Sequence, residues 1–260
     1  MLTLVIATRN AHKVGEIRAI LGPGFHCLSL ADFSGAPEVV EDAGSFAGNA
    51  TKKAVALAGW LAHVQPGALA RIFQAGSDAS PRRPCGSSSG RLGEASLPAG
   101  LSVGEFYVLA DDSGLEVDAL GGAPGVHSAR FAALDTGQPG NSPTADNNAK
   151  LLRLLTSVPP EKRAARFRCV LALTPVPSPA AASASPVCLA DEVELQTELF
   201  EGTCEGRIAF EPRGTGGFGY DPLFIPQGHD LTLGELSEEV KNGLSHRARA
   251  LALLRAKFVD

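Results

Sequence analysis

The segment formed by residues 110–130 constrains the fold more than any other part of the chain. It reads ADDSGLEVDALGGAPGVHSAR, and its adjacent acids Asp111 and Asp112 directly follow the apolar run 106–109. Such a run predicts a buried strand, with the acids at its end on an edge of the sheet. Because adjacent carboxylates repel each other, the fold must supply a divalent cation or an Arg or Lys partner. The alternative is a turn that merely ends the strand, since Asp, Ser and Gly favour turns.

The composition predicts a soluble globular protein with a substantial core. Of the 260 residues, 44% are hydrophobic and 20% are charged, and the net charge is −5. This balance disfavours a nucleic-acid binder but is compatible with a small anionic ligand held by a few cations. No apolar run reaches the roughly 18 residues of a membrane span, and the N-terminus lacks the order of a secretory signal. The five cysteines form no CxxC pair, so we expect no zinc site, no disulfide framework and a cytoplasmic location.

Strands and helices alternate along the chain, which predicts an α/β fold. The first strand precedes a helix capped by Asn10. The other predicted elements, in chain order, are a helix from about Ser45 to His63, a strand at 106–110, a helix from Thr144, a strand at 166–176, a hairpin at 194–210 with its turn near Glu201-Gly202, and helices from Ser237 and Ser245. Two low-complexity segments, 65–104 and 174–190, interrupt this pattern, and we expect them to be inserts without chemistry.

The segment after the first strand is a candidate anion site. It reads Thr8-Arg9-Asn10-Ala11-His12-Lys13 and opens a predicted helix. The free N–H groups and the dipole at the start of a helix favour an anion there. A hydroxyl, an amide and a lysine lie at the same end. The alternative is an ordinary capped helix with a solvated lysine.

The glycine-rich segment 214–219 reads GTGGFG and formally matches a dinucleotide-binding pattern. Tyr220-Asp221-Pro222 follow it and prevent the helix that this pattern needs, so we reject a Rossmann site. Glycines at this density allow the backbone to approach a flat ligand closely. Phe218 and Tyr220 then offer stacking faces and Asp221 a polar contact. The alternative is a tight turn with aromatic side chains in the core.

The start of the last helix carries cations where a helix disfavours them. Ser245 is its predicted cap, which places His246 and Arg247 in the first turn. Each cation there costs a few tenths to about 1 kcal/mol. We therefore expect an electron-rich partner opposite, and Lys241 points to the same neighbourhood. The alternative is a pair of solvated surface cations.

A second pair of acids indicates a metal site. Glu41 follows an apolar dipeptide and precedes the helix that carries Asn49 and Lys53. If Glu41 and Asp112 converge at strand ends, they form a site for a hard cation, with phosphate oxygens and water completing the octahedron of Mg²⁺. Taken alone, a glutamate at this position is more often an acid that caps the helix.

Several of these segments, in this order, resemble the inosine triphosphate pyrophosphatase family, which hydrolyses non-canonical purine nucleoside triphosphates. The matching segments are TRNAHK, EDAGSFAGNATKKA, ADDSGLEVDALGGAPGVHSAR, RFRCVLAL, PRGTGGFGYDPLF and EEVKNGLSHRARAL. The resemblance covers nearly all of the chain outside the two inserts. It implies one domain over residues 1–260, with two lobes around a long twisted mixed sheet, flanking helices and a nucleotide cleft between the lobes. It also implies a homodimer.

The resemblance implies Mg²⁺-dependent hydrolysis of ITP, dITP and XTP to the monophosphate and pyrophosphate. Asp112 would accept the proton of the attacking water, and Glu41 and Asp112 would bind the metal, with Asp111 as the next candidate ligand. The nucleotide-binding residues would be Thr8, Arg9, Asn10, Ala11, His12, Lys13 and Lys53 at the triphosphate, Ser113 at the nucleotide, Phe218, Gly219, Tyr220 and Asp221 around the base, and Lys241, His246 and Arg247 at its edge.

Two other functions compete with this interpretation. The Maf-like nucleotide pyrophosphatases share the fold and the reaction but prefer pyrimidine or modified nucleotides, and the segments SHRARAL and GGFGYD speak against them. A non-catalytic nucleotide sensor would be expected to lose Asp112 or Glu41, and the chain has both. One departure from the family pattern is Gly48, which stands where an acid is frequent and leaves that helix without a further metal ligand.

Overall fold

The computed structural model describes residues 2–63, 106–177 and 193–258. The strands are β1 (Leu2–Ile6), β2 (Phe25–Ser29), β3 (Phe106–Val117), β4 (Ala164–Pro175), β5 (Glu198–Ile208) and β6 (Phe224–Pro226). The helices are α1 (Ala11–Leu21), α2 (Phe46–His63), α3 (Ala133–Thr136), α4 (Thr144–Leu154), α5 (Glu238–Leu244) and α6 (His246–Phe258). Short 3-10 helices lie at Leu30–Asp32, Asp118–Leu120, Gly125–Arg130 and Pro160–Lys162.

The six strands form one mixed sheet in the order β2-β1-β3-β4-β5-β6. The strands β2, β1 and β3 are parallel, and the pairs from β3 to β6 are antiparallel. Strand β4 pairs with β3 from Tyr107 to Val117, whereas β1 covers β3 only as far as Leu109. Asp111 and Asp112 therefore lie just beyond the end of β1, where a parallel sheet commonly opens its ligand crevice.

Three apolar clusters hold the sheet and the helices together. The first packs α2 against one face of β1, β3 and β4, and the second packs α1 and α6 against the opposite face. The third lies at the far ends of the long strands, where Leu151 and Leu155 at the end of α4 meet Phe224 of β6. This division gives the two lobes that the resemblance implies. None of the helices in the described ranges is long and apolar enough to cross a membrane.

The predicted helix boundaries agree closely with the structure. The side chain of Asn10 accepts hydrogen bonds from the N–H groups of His12 and Lys13 and so caps α1. Helix α2 begins one residue after Ser45 and ends at His63. Ser237 and Ser245 directly precede α5 and α6, and each accepts a hydrogen bond from a first-turn N–H group.

Two strand predictions are wrong. Strand β3 does not end at the acids but continues to Val117, because β4 satisfies its backbone along the whole length. The predicted hairpin at 194–210 is one continuous strand, β5, in which Gly202 pairs with Cys169. A Cβ atom at Gly202 would lie 2.1 Å from the carbonyl oxygen of His246, so this glycine lets α6 approach the sheet and does not form a turn.

The two predicted inserts fall mostly on parts of the chain that the structure does not describe. Segment 65–104 lies outside the described residues, and so do residues 178–190 of the second segment. The start of the second segment needs correction, because Thr174 and Pro175 belong to β4 and Thr174 is fully buried. Residues 169–174 of β4 are all buried, so the strand continues through this point, and the low-complexity composition follows it.

The close contact at Gly202 gives a stability prediction. Substitution Gly202→Ala should lower the free energy of unfolding by about 1–3 kcal/mol, because the added methyl overlaps the α6 backbone. Substitution Gly15→Ala in α1 is the matched control, since a Cβ there meets nothing within 4 Å, and it should stabilise by about 0.5–1 kcal/mol. Urea unfolding of both variants measures the difference. Equal effects of the two substitutions would contradict the packing of β5 against α6.

Candidate active site

Asp111 and Asp112 leave opposite faces of β3, because successive side chains of a strand alternate. Asp111 contacts Lys13 of α1 and Arg247 of α6, which lie on one face of the sheet. Asp112 contacts Asn49 and Lys53 of α2, which lie on the other. Both acids are buried, with exposed fractions of 2% and 5%. The adjacent carboxylates are therefore separated into two distinct charged groups.

The carboxylate of Asp111 is completely engaged by neighbouring donors. Arg247 Nε donates to Asp111 Oδ2 over 2.9 Å, and Ser113 Oγ donates to Asp111 Oδ1 over 3.0 Å. Lys13 Nζ also pairs with Oδ1. Burial opposes ionisation of Asp111, but the charges of Arg247 and Lys13 outweigh it and hold the pKa of this carboxyl well below its usual range. The counter-charge expected beside the adjacent acids is thus, at Asp111, a pair of basic side chains.

Arg247 at the start of α6 and Lys241 of α5 have the electron-rich partners that we expected at this place. Arg247 is only 1% exposed and also pairs with Glu16 of α1. Glu16 Oε1 lies 2.5 Å from Lys241 Nζ, and Lys241 Nζ lies 2.8 Å from Asp221 Oδ2. The alternative of solvated surface cations is therefore wrong for Arg247 and Lys241. Glu16 was not among the predicted site residues, although its place one turn after Lys13 on α1 was the available signal.

On the other face, Lys53 joins the two acids predicted to bind metal. Its Nζ lies 3.2 Å from Glu41 Oε1 and 3.7 Å from Asp112 Oδ1, and it donates to the backbone oxygen of Asp111 over 2.8 Å. Asn49 Nδ2 donates to Asp112 Oδ2 over 3.0 Å. Burial raises the pKa of Asp112 and is only partly offset by the charge of Lys53. Asp112 is thus held by fewer cations than Asp111 and is easier to protonate.

Glu41 and Asp112 form a carboxylate pair that suits Mg²⁺. This ion is usually bound by one or two carboxylates together with phosphate oxygens and water. Among the residues that the structure describes, no group of three or more His, Cys, Asp or Glu side chains forms a larger cage. Asp111 does not fit as a ligand, because Lys13 and Arg247 occupy its two oxygens. Arg130 Nη2 donates to the backbone oxygen of Glu41 over 3.0 Å and thereby fixes the loop that carries this acid.

The predicted anion site lies at the exposed start of α1. Thr8 Oγ1 accepts a hydrogen bond of 3.1 Å from the N–H group of Asn10, which in turn caps the helix. Ala11 and His12 are exposed in the first turn. Arg9 Nη2 donates to the backbone oxygen of Ala36 over 2.9 Å, so this guanidinium anchors a neighbouring loop. Lys13 turns inward to Asp111.

The glycine-rich segment forms a loop that directs Phe218 and Tyr220 to different places. Gly214, Gly217 and Gly219 have φ values of 79°, 73° and 61°, which other residues rarely adopt. Phe218 is half-buried, and its ring stacks on His12 with 5.6 Å between centroids. Tyr220 instead lies in the third apolar cluster and donates its hydroxyl to the backbone oxygen of Ser128 over 2.9 Å. The ring of Tyr220 therefore offers no stacking face to a ligand.

Two further predicted site residues, Asp221 and His246, lie deep beside this loop. Asp221 accepts from the N–H group of Phe218 over 2.8 Å and from Lys241, so it fixes the turn of the loop. The ring of His246 stacks on Phe167 with 4.8 Å between centroids. Burial, followed by the charge of Arg247, lowers the pKa of His246 well below its usual range. Its Nδ1 atom is buried and has no hydrogen-bond partner in the described part of the chain, as is expected of a ligand-binding group.

The different surroundings of the two acids give a prediction from matched substitutions. Asp111→Asn should lower the free energy of unfolding at pH 7 by about 3–5 kcal/mol, because it removes the buried carboxylate that Arg247 and Lys13 share. Asp112→Asn should raise the free energy of unfolding slightly, because it removes a buried carboxylate whose pKa is raised. Urea unfolding measures both.

The pH dependence of the two variants serves as their control. The pKa of Asp111 is lowered in the folded chain, so its stabilisation is complete above the usual aspartate value of 3.8 and is lost as the pH falls below it. The deficit of Asp111→Asn should therefore shrink in acid. The pKa of Asp112 is raised, so its destabilising effect is present at neutral pH and disappears in acid. Equal unfolding free energies of the two variants at pH 7 would contradict this assignment.

Comparisons with known proteins agree with this architecture. Residues 4–70 and 94–257 match the Ham1 family. A dITP/XTP pyrophosphatase of Desulforamulus reducens is 41% identical to this chain, and the match covers 96% of this chain and 92% of that relative. Another of Geobacillus kaustophilus is 40% identical and covers 100% and 96%. The solved structure of a HAM1 protein from Coxiella burnetii has a TM-score of 0.66 and 30% identity, and it covers 99% of this chain and 98% of its own. The chain therefore belongs to the Ham1 family.

Proposed function

We propose that this chain is a nucleoside triphosphate pyrophosphatase that hydrolyses dITP, XTP and ITP to the nucleoside monophosphate and pyrophosphate with Mg²⁺. Relatives that are 37–41% identical over nearly the whole chain are named dITP/XTP pyrophosphatases. The observation that carries the proposal is that Glu41 and Asp112 both pair with Lys53. They do so on the face of β3 opposite to Asp111. As the family resemblance implies, we further propose that the chain acts as a cytoplasmic homodimer.

Asp112 has the surroundings of a group that accepts a proton from water. Asn49 holds Oδ2, while Oδ1 faces Lys53 at the longer distance of 3.7 Å. The raised pKa brings the carboxylate closer to the range in which a general base works well. In the proposed reaction, water attacks either the α- or the β-phosphorus, and Asp112 takes the proton of the water. The bond between the attacked phosphorus and the oxygen that bridges the two phosphorus atoms then breaks. Monophosphate and pyrophosphate are the products in either case.

Glu41 and Asp112 would hold the Mg²⁺ ion, which when bound neutralises negative charge on the phosphoryl oxygens. Lys53 lies between these two acids and adds a fixed positive charge at the same place. The start of α1 would bind the distal phosphates through the hydroxyl of Thr8, the backbone N–H groups of the first turn and the side chain of Lys13. The residues that bind phosphate and the residue that orients water thus come from α1, α2 and β3, around the end of β1.

The base would lie beside the loop that carries Phe218 and Asp221. Lys241 and His246 are buried here, and Lys241 is held in place by Glu16 and Asp221. Donors fixed in this way would donate hydrogen bonds to the 6-oxo group of hypoxanthine or xanthine and would leave the 6-amino group of adenine, itself a donor, without an acceptor. A buried polar group without a partner costs a binding site on the order of 10⁴-fold in discrimination. Ser113, which hydrogen-bonds Asp111, would contact the nucleotide between these two ends.

The first test of the proposal is loss of turnover without loss of fold. Asp112→Asn should lower kcat for pyrophosphate release from dITP by about 10²–10⁴-fold, because the amide cannot accept the proton. Asp135→Asn is the matched control, since Asp135 forms a half-exposed surface pair with Lys150 and Arg153 and should leave turnover unchanged. Full turnover by Asp112→Asn would remove Asp112 from the chemistry.

Glu41→Gln provides a separate test of the metal site. The substitution removes one of two carboxylates, so the Mg²⁺ concentration for half-maximal turnover should rise about tenfold or more, with partial recovery at high Mg²⁺. Direct titration of Mn²⁺ into the chain with bound nucleotide should show the same loss of affinity. An unchanged Mg²⁺ requirement would exclude Glu41 as a ligand.

The substrate is tested by pyrophosphate release from dITP, XTP, GTP, ATP and dTTP. Preference for dITP and XTP supports the proposal. Preference for dTTP would assign the chain to the Maf-like activity. Tight nucleotide binding without turnover would indicate a sensor.

A further inference from the structure

The first turn of α1 sends two adjacent side chains to different ends of the site. Lys13 Nζ pairs with Asp111 of β3, whereas the ring of His12 stacks on Phe218 of the glycine-rich loop. Adjacent residues of a helix are rotated by about 100°, so the two side chains leave the helix in different directions. The resemblance assigns all of residues 8–13 to the triphosphate. The geometry separates His12 from that group.

The ring of His12 is the accessible part of an aromatic stack. The centroids of His12 and Phe218 are 5.6 Å apart and the ring planes differ by 24°, which is an offset stack. His12 is exposed, whereas Phe218 is half-buried. Lys241 Nζ and Arg247 Cζ lie 4.9 and 5.8 Å from the centroid of Phe218. A flat ligand that approaches Phe218 therefore meets the imidazole of His12.

We propose that His12 binds the base of the nucleotide by stacking on the purine, beside Phe218, and does not bind the triphosphate. This inference rests on the proposed function. A purine that lands on the outer face of His12 and one that enters between the two rings both contact the imidazole. Stacking uses the face of a base and is insensitive to its edge. His12 should therefore strengthen binding of every purine equally, while Lys241 and His246 distinguish their edges.

The test separates the two ends of the nucleotide with two probes. Inosine monophosphate carries the base, and inorganic tripolyphosphate carries only the phosphates. His12→Ala should raise the Kd of inosine monophosphate about fivefold, which is the loss of one aromatic stack. It should leave the Kd of tripolyphosphate within about twofold. His12→Phe keeps the stack and removes the polar ring atoms, so it should restore the affinity for inosine monophosphate.

Turnover provides an independent reading of the same residue. His12→Ala should raise KM for dITP and dATP by the same factor, with kcat and the ratio between the two substrates unchanged. Because His12 is exposed, the thermal unfolding of the His12→Ala variant should match that of the unaltered chain. A change in the dITP-to-dATP ratio would overturn the inference, because it would give His12 a role at the base edge.

Three binding results would also overturn the inference. Weaker tripolyphosphate binding by His12→Ala would assign the residue to the phosphates, and tighter inosine monophosphate binding would show that His12 competes with the base. Failure of His12→Phe to recover affinity would exclude stacking. These titrations do not depend on turnover. If the unaltered chain binds both probes but releases no pyrophosphate from dITP, the proposed function fails while the role of His12 is still decided.

Discussion

The buried ion pair between Asp111 and Arg247 is the interaction on which the rest of the structure depends. It joins β3 to the first turn of α6, across 136 positions of the sequence, and both side chains are almost fully buried. Lys13 and Glu16 complete the group from α1, so the pair ties the first helix and the last helix to the centre of the sheet. The attraction within such a pair roughly balances the loss of hydration, but removal of one member leaves a buried charge that has lost a partner. The pair therefore fixes the arrangement more than it adds net stability.

The position of Asp112 follows from this pair through the geometry of a strand. Because Asp111 points toward α1 and α6, Asp112 must point toward α2. There it meets Asn49 and Lys53, and burial outweighs the charges of Lys53 and Lys13, so the pKa of Asp112 is raised while the pKa of Asp111 is lowered. One dipeptide thus holds a fixed anion that organises the fold and a more basic carboxylate that is suited to proton transfer. The less favourable surroundings of Asp112 are the kind of local instability that sites of chemistry commonly retain.

Local signals in the sequence predicted the helices well and the long-range contacts poorly. The caps Asn10, Ser237 and Ser245 depend on interactions within one turn, so the sequence contains everything that decides them. Local electrostatics also predicted a counter-charge beside Asp111 and an anion opposite Arg247. They did not predict that these two residues pair with each other. The continuation of β3 and the path of β5 depend on partners far along the chain.

The errors have the same physical origin. Gly202 was predicted to lie in a turn because glycine is common in turns. Here the residue is glycine because the backbone of α6 leaves no room for a side chain. Tyr220 resembled a stacking residue, but its hydroxyl finds a carbonyl oxygen 92 positions away. The contacts of Glu16 with α5 and α6, and the contact between His12 and Phe218, join segments that are far apart in the sequence. Residue spacing therefore could not predict them.

The most direct measurement is a crystal structure with Mn²⁺ in place of Mg²⁺ and a non-hydrolysable dITP analogue, in which anomalous scattering locates the metal. We expect the metal on the α2 side of β3, bound by Glu41 and Asp112, with the pair between Asp111 and Arg247 intact. A metal bound by Asp111 after its separation from Arg247 would contradict the division of roles between the two acids.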